Sequence, residues 1–239
     1  MQITPISTNY SQNKSFNKPA FRQGGEAFWK SDYSTKDKTI VAGTTALGVF
    51  SSLMVLAKLH GHSLKPKEFG KYLKNADFLW KEIVVMGLGT CLGGLAGGYI
   101  IDKNPENRKA KQREAVMQIG NISIPIATVA ATNSLIDKLG IKNKTAKNVT
   151  SSLGSLGAIL VGIYLANFVM NKVSNAIFKD KTEARSVKTT DLSPHVDDVL
   201  ASAKYIAPQS TLVHNISRII PFALMVPGNE IGNKKSNNC

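Results

Sequence analysis

Four long stretches without a charged residue constrain this chain more than any other feature. No Asp, Glu, Lys or Arg occurs in residues 39–57, 83–101, 115–136 or 148–171, which are 19, 19, 22 and 24 residues long. A helix that spans the hydrocarbon core of a bilayer needs about 20 mainly apolar residues. A soluble helix of that length carries charges on its wet face, and a chain of 239 residues is too short to cover four uncharged helices. The spacing therefore predicts membrane-spanning helices.

The four stretches do not suit a bilayer equally well. Three of them are mainly apolar, and residues 39–57 add Thr and Ser hydroxyls that can bond to helix carbonyls. The stretch 115–136 is more polar, with Gln118, Asn121, Pro125 and Asn133 inside it. Whether residues 115–136 span the membrane is therefore open at this point.

These stretches predict an all-α fold: an integral membrane bundle of about four transmembrane helices in two hairpins, followed by amphipathic C-terminal helices. We expect residues 1–38, which are rich in Asn, Ser, Gln and Lys, to form a disordered polar tail. Residues 39–174 are the predicted transmembrane domain, and residues 175–239 the amphipathic C-terminal region with a polar tail.

A weak internal similarity also favours two hairpins in tandem. When the chain is shifted by 65 residues, Leu88-Gly89-Thr90 meets Leu153-Gly154-Ser155, and Tyr99 meets Tyr164. Internal repeats are frequent in transporter folds. Apolar sequence of low complexity also aligns with itself by chance, so the repeat is one of two open interpretations.

The net charge of +14 indicates where the basic residues act. They flank the apolar stretches and do not form the basic face of a soluble fold, so we expect anionic lipid headgroups as partners and no nucleic acid. Near the ends of the stretches, Lys and Arg number 16 on the side of the termini (residues 1–38, 102–114 and 172–188) and 10 on the other side (residues 58–81 and 138–147). This bias predicts a multi-pass membrane protein with both termini in the cytoplasm.

Residues 65–81, where lysines alternate with aromatic residues, fit either a helix in the headgroup layer or an ordinary loop.

Small residues recur at intervals of four in two of the stretches, which is typical of helix contacts in membranes. We predict that these faces pack on each other inside the bundle; the alternative is a pore or oligomer built on the glycine face. The protein partners considered are a second copy of the chain or another membrane protein. The predicted packing residues are Gly89, Gly93, Gly97, Gly94 and Gly98 in one stretch and Gly154, Ala158, Gly162 and Ala166 in the other.

Polar side chains within the stretches are the candidates for a transport path. None of the four stretches contains an ionisable acid or base, which argues against a transporter coupled to protons or ions. A polar cavity would be lined by Asn121, Thr128, Thr132 and Asn167.

The segment around His195 has two interpretations. His195, Asp197 and Asp198 are weak candidates for a metal site or an acid–base pair. The favoured interpretation is structural: Ser193 caps a surface helix, Pro194 takes its first position, and the acids face the positive helix end. On that interpretation no metal is bound, and replacing His195 has almost no effect.

Residues 209–228 form a last apolar segment, interrupted by Pro221 and Pro227. It is short for a span, so we expect either an interfacial amphipathic helix or a re-entrant half-helix docked on the bundle.

The sequence contains no nucleotide-binding, serine hydrolase or zinc protease motif, and we expect no catalytic residues and no cofactor. The first hypothesis is a non-enzymatic membrane scaffold or assembly subunit that uses its glycine-rich faces. A small-solute transporter or channel is the second hypothesis, and a membrane enzyme with a surface His/Asp site is the third.

Overall fold

The computed structural model describes residues 32–75, 78, 80–179, 184–196, 199 and 219–236. Within these residues every regular element is helical, which confirms the predicted fold class. The helices are α1 (Thr35–Leu59), α2 (Pro66–Asn75), α3 (Trp80–Ile101), α4 (Pro105–Lys138) and α5 (Lys144–Phe178), then a 3-10 helix (Thr189–His195), α6 (Ile220–Ala223) and α7 (Met225–Gly232).

Short polar side chains begin the long helices. Ser34 Oγ accepts a hydrogen bond from the Asp37 amide, and the Asn143 side chain accepts one from the Ala146 amide. The Asn104 side chain accepts from two amides of the first turn of α4, where Pro105 occupies a position that has no helical partner for an N–H. Each cap satisfies amides that a helix start otherwise leaves unpaired.

Four of the described helices, α1, α3, α4 and α5, are long and apolar enough to cross a membrane. The polar stretch 115–136 is among them, as part of α4. With 34 and 35 residues, α4 and α5 extend for about 50 Å, which exceeds a hydrocarbon core of about 30 Å. Many large apolar side chains face outward, among them Leu47, Leu92, Leu153, Val161 and Phe168. A multi-pass membrane protein accounts for these exposed faces.

The bundle consists of two helical hairpins, α1 with α3 and α4 with α5. Asp102, at the end of α3, lies beside Lys111 near the start of α4, and Arg113 of α4 bonds to Asn175 near the end of α5. These termini therefore share one end of the bundle, which we call the ionic end. Helix α2 lies at the other end, called the α2 end, where Phe69 and Tyr72 are buried against α1 and α3.

Glycines bring the helix backbones together, but with partners that the sequence did not indicate. A Cβ atom added at Gly97 would lie 2.9 Å from Val41 Cα of α1, and one at Gly162 would lie 2.5 Å from Pro125 Cα of α4. The expectation that the glycine faces of α3 and α5 pack on each other is wrong. Gly89, Gly93 and Gly97 meet α1, Gly154 and Gly162 meet α4, and Gly94 and Gly98 meet α7.

The C-terminal segment 220–236 packs inside the bundle. Ile220 and Leu224 belong to the apolar cluster near α2, whereas the Lys234 carbonyl accepts from Lys111 at the ionic end. Helix α7 lies against α3 through a second glycine contact, because a Cβ at Gly98 would be 3.0 Å from Gly232 Cα. Of the predicted apolar segment, residues 209–218 lie outside the described residues, and the remainder is docked within the bundle.

Candidate functional site

A group of charged side chains is buried at the ionic end. Glu114 and Gln118 come from α4, Glu230 from α7, Asp191 from the 3-10 helix, and Arg185 and Lys188 from the chain that leads into it. We call these six residues the ionic cluster. Both glutamates and Asp191 expose at most 4% of their surface. Burying charges costs free energy unless they are paired, so their contacts decide what the cluster can do.

Arg185 is the centre of the cluster. Its Nε atom donates to Glu114 Oε1 over 2.9 Å, and its two terminal nitrogens donate to both oxygens of Asp191 over 2.9 and 2.5 Å. Such two-pronged contacts with a carboxylate are among the strongest hydrogen bonds in proteins. Burial alone lowers the pKa of Arg185, but Glu114 and Asp191 outweigh it and raise the pKa, so the guanidinium stays charged.

Glu230 contacts three side chains: Gln118 of α4, Thr190 of the 3-10 helix and Lys188 of the chain before that helix. Gln118 Nε2 donates to Glu230 Oε2 over 2.8 Å and Thr190 Oγ1 donates to its Oε1 over 2.6 Å. Lys188 Nζ lies between the two glutamates, 3.4 Å from Glu230 Oε2 and 3.5 Å from Glu114 Oε1. The cluster thus ties α4, α7 and the 3-10 helix together.

Burial and neighbouring charges act in opposite directions on the pKa of Glu230. Burial raises the pKa of its carboxyl group, and the negative charge of Glu114 raises it further. Lys188 and Arg185 act in the opposite direction but do not compensate fully, so the pKa remains above its usual value. Glu230 is therefore the carboxylate of the cluster best placed to take up a proton.

The depth of the cluster follows from α4. Glu114 immediately precedes the charge-free stretch, and Asn121 lies about two turns further along the helix. Asn121 Nδ2 donates to the Asp191 carbonyl over 3.0 Å, and the Asn121 carbonyl lies 2.8 Å from His195 Nε2. The 3-10 helix thus enters the bundle beside the first turns of the predicted span. The ionic cluster therefore lies at the start of the charge-free stretch of α4 and not at its middle.

A second buried cation lies next to the ionic cluster. Lys111 is fully buried and donates to Tyr33 Oη over 2.9 Å and to the Lys234 carbonyl over 2.6 Å. Asp102 faces it and accepts hydrogen bonds from Tyr33 and from Asn107. Burial raises the pKa of Asp102, but these hydrogen bonds, the Asn104 amide and the charge of Lys111 outweigh it and lower the pKa.

The four residues proposed to line a polar cavity enter separate contacts. Asn121 bonds to the 3-10 helix, whereas Thr128 Oγ1 donates to the Ala158 carbonyl of α5 over 2.9 Å. The methyl group of Thr132 faces Gly154, and Asn167 accepts from Asn171 of its own helix. The polar atoms of Asn121, Thr128 and Asn167 thus bond to neighbouring backbone or side chains.

The structure changes the interpretation of the His195 segment. His195 exposes only 1% of its surface, so it does not lie on the surface helix that the sequence suggested. Ser193 Oγ is buried without a hydrogen-bond partner in the described part of the chain, which means that it does not act as the predicted cap. Asp197 and Asp198 lie outside the described residues. Among the described residues, no three His, Cys, Asp or Glu side chains are grouped to hold a metal ion.

The ionic cluster was missed from the sequence because its charged members lie outside the four stretches. Glu114 and Glu230 are 116 positions apart, and no local spacing connects them. Two signals pointed to α7: a single acid within an apolar, proline-broken segment, and the pair Gly228 and Gly232, which repeats the spacing of Gly94 and Gly98.

Comparisons of the chain with protein-family models, curated proteins and solved structures found no match.

Proposed function

We propose that this protein is a non-enzymatic membrane scaffold or assembly subunit, a rigid frame that holds its two ends and its C-terminal segment in fixed positions. The observation that carries the proposal is the ionic cluster, in which Arg185 and Lys188 join carboxylates from α4, α7 and the 3-10 helix. Removing one member of such a buried network leaves an unpaired charge, so the network opposes movement of these elements.

Interior polar groups of the helices act in the same way. Ser52 Oγ donates to the Val85 carbonyl and links α1 to α3, while Thr128 links α4 to α5. Asn133 Nδ2 donates to Ser155 Oγ and adds a second link between α4 and α5. Hydrogen bonds between membrane helices contribute of order 1 kcal/mol each. They support a bundle that keeps one arrangement.

The position of the charges also favours a frame. Substrate and ion sites of secondary transporters lie near the bilayer midplane. The ionic cluster contains Glu114, which immediately precedes the charge-free stretch. In this proposal the cluster therefore lies where water and headgroups are close. In this proposal the basic residues around both ends bind anionic headgroups, the termini lie in the cytoplasm, and the outward helix faces serve contacts with a membrane protein or a second copy.

A second candidate, a small-solute transporter coupled to protons, rests on Glu230. This residue lies on a short helix that begins after Pro221 and contains Pro227, and broken helices form binding sites in transporters. Its raised pKa favours proton uptake. Intramembrane acids are functional in many membrane proteins, so this observation keeps transport as the alternative.

The two candidates differ in what the purified protein does in vesicles. We expect vesicles that contain the protein to hold a pH gradient as long as empty vesicles do, and the protein in mildly solubilised native membranes to migrate within a larger assembly. Glu230→Gln and the exposed Glu106→Gln serve as a matched pair. If the pH gradient collapses in vesicles with the wild type and with Glu106→Gln, but not with Glu230→Gln, the protein is a transporter and the scaffold proposal is wrong.

A further inference from the structure

A pocket of about 390 Å³ opens at the α2 end, far from the ionic cluster. Four parts of the chain form it: the connection after α1, α2, the connection from α2 to α3 at Phe78, and the first turn of α3. The lining residues are His60, His62, Glu68, Lys71, Tyr72, Asn75, Phe78 and Glu82. Pockets of this size hold small molecules.

Two buried polar atoms in the pocket wall are unused. Tyr72 exposes 6% and Glu82 9% of its surface. Neither Tyr72 Oη nor Glu82 Oε2 has a hydrogen-bond partner in the part of the chain that the structure describes. Buried polar groups are paired in nearly all proteins, and an unpaired one costs about 1–3 kcal/mol. Two such atoms in the wall of one pocket therefore indicate a ligand that forms hydrogen bonds with them.

The charges of the pocket select a cation. Lys71 and Glu68 form an ion pair of 3.2 Å, so they neutralise each other. Glu82 Oε1 lies 3.3 Å from His60 Nε2, and the second, buried oxygen of this carboxylate has no hydrogen-bond partner in the described part of the chain. Burial and the charge of Glu82 raise the pKa of Tyr72, so its phenol is neutral and can accept a hydrogen bond.

Aromatic rings complete the wall. The His62 ring centroid lies 5.0 Å and the His60 centroid 6.0 Å from that of Tyr72, and Phe78 lines the same pocket. Aromatic faces attract organic cations. A carboxylate oxygen, a phenol and aromatic surfaces together suit a positively charged group that has N–H donors and a short carbon chain.

We propose that the pocket binds a primary ammonium group, which donates to Glu82 Oε2 and Tyr72 Oη. The group has two natural sources: a soluble amine, or the headgroup of an aminophospholipid, because the pocket lies at an end of the bundle. The site is independent of the scaffold role and of the ionic cluster.

The test uses the full-length protein in nanodiscs made only of phosphatidylcholine, titrated with ethylammonium by calorimetry. We expect saturable binding, with tetramethylammonium, which has no N–H donor, and acetate both binding much more weakly. Glu82→Gln should weaken ethylammonium binding at least about tenfold and Tyr72→Phe about fivefold, while Glu106→Gln leaves it unchanged. Unaltered thermal unfolding of each variant shows that the fold is intact.

Nanodiscs with added phosphatidylethanolamine separate the two sources. If the headgroup occupies the pocket, ethylammonium binds more weakly in these discs, and the lipid remains bound to the wild type but not to Glu82→Gln in native mass spectrometry. If the source is a soluble amine, the affinity is the same in both discs. No ethylammonium binding to the wild type, equal binding to Glu82→Gln, or a preference for acetate would overturn the proposal.

Discussion

The two ends of the bundle bury the same kind of residue and treat it differently. At the ionic end, Glu114 and Glu230 share Gln118 and Lys188, and Arg185 and Thr190 donate further hydrogen bonds to them. At the α2 end, Glu82 is paired with His60 through one oxygen, and its second oxygen has no hydrogen-bond partner among the described residues. A paired carboxylate fixes the elements around it, whereas a half-paired one is available to a ligand. The comparison separates the part of the molecule that holds the fold from the part suited to binding.

The largest expected effect comes from breaking the ionic end. Arg185→Met leaves Glu114 and Asp191 buried without their main partner, which should reduce the free energy of unfolding by about 3–5 kcal/mol. Thermal unfolding in detergent measures the loss. Arg113→Met, on the more exposed part of α4, is the control and should cost less than about 1 kcal/mol. Equal stability of the two variants would show that the cluster does not hold the C-terminal segment.

The glycine contacts that join the two ends should come next. Gly93→Leu places a side chain where a Cβ atom alone would lie 3.0 Å from Thr45 Cα, so we expect a loss of about 1–3 kcal/mol or more. Gly43→Leu is the matched control, because no atom lies within 4 Å of its added Cβ. The same thermal measurement compares them, and an equal loss in both variants would contradict the close contact of α1 and α3.

His195 tests how far the ionic end extends into the bundle. His195→Ala removes a buried ring and leaves the Asn121 carbonyl without that contact, which should cost about 1–3 kcal/mol of stability. Leu192→Ala, on the exposed side of the same 3-10 helix, should cost clearly less. A silent His195→Ala would restore the surface position that the sequence suggested.

The pH dependence of stability should have opposite signs at two carboxylates. The pKa of Glu230 is raised, so its contribution to stability is present below the unfolded value of about 4.3 and is lost as pH rises through the folded value. The pKa of Asp102 is lowered, so its contribution is present above about 3.9 and is lost as pH falls through the folded value.

Thermal unfolding across this acidic range measures both contributions. Relative to the wild type, Glu230→Gln should gain stability as pH rises above about 4.3, while Asp102→Asn should lose stability as pH rises above the folded pKa of Asp102. Parallel curves for the wild type and both variants would contradict the assigned directions.

The smallest effect is expected at the α2 end. Tyr72→Phe removes a buried hydroxyl that has no partner in the described structure, so stability without ligand should be unchanged or rise by up to about 1 kcal/mol. Thermal unfolding of the ligand-free protein measures it. A loss comparable to that of Arg185→Met would mean that the hydroxyl is bonded, and that the two ends do not differ in the way described.

The sequence by itself determined the helices. Transfer of a helix into a bilayer depends on a local sum over its residues, so charge-free stretches of 19 to 24 residues predicted α1, α3, α4 and α5. Caps such as Asn104 and Asn143 act within four residues and are equally local. The recurrence of small residues identified faces that approach other backbones.

Only the tertiary structure decided which elements meet. A glycine face permits close contact with any helix, so the sequence could not distinguish α1 from α5 as the partner of α3. The ionic cluster joins Glu114 to residues 71 and 116 positions away, and the pocket at the α2 end combines four separate parts of the chain. Such pairings depend on long-range geometry and on the burial that it creates, and neither property is contained in a local pattern of residues.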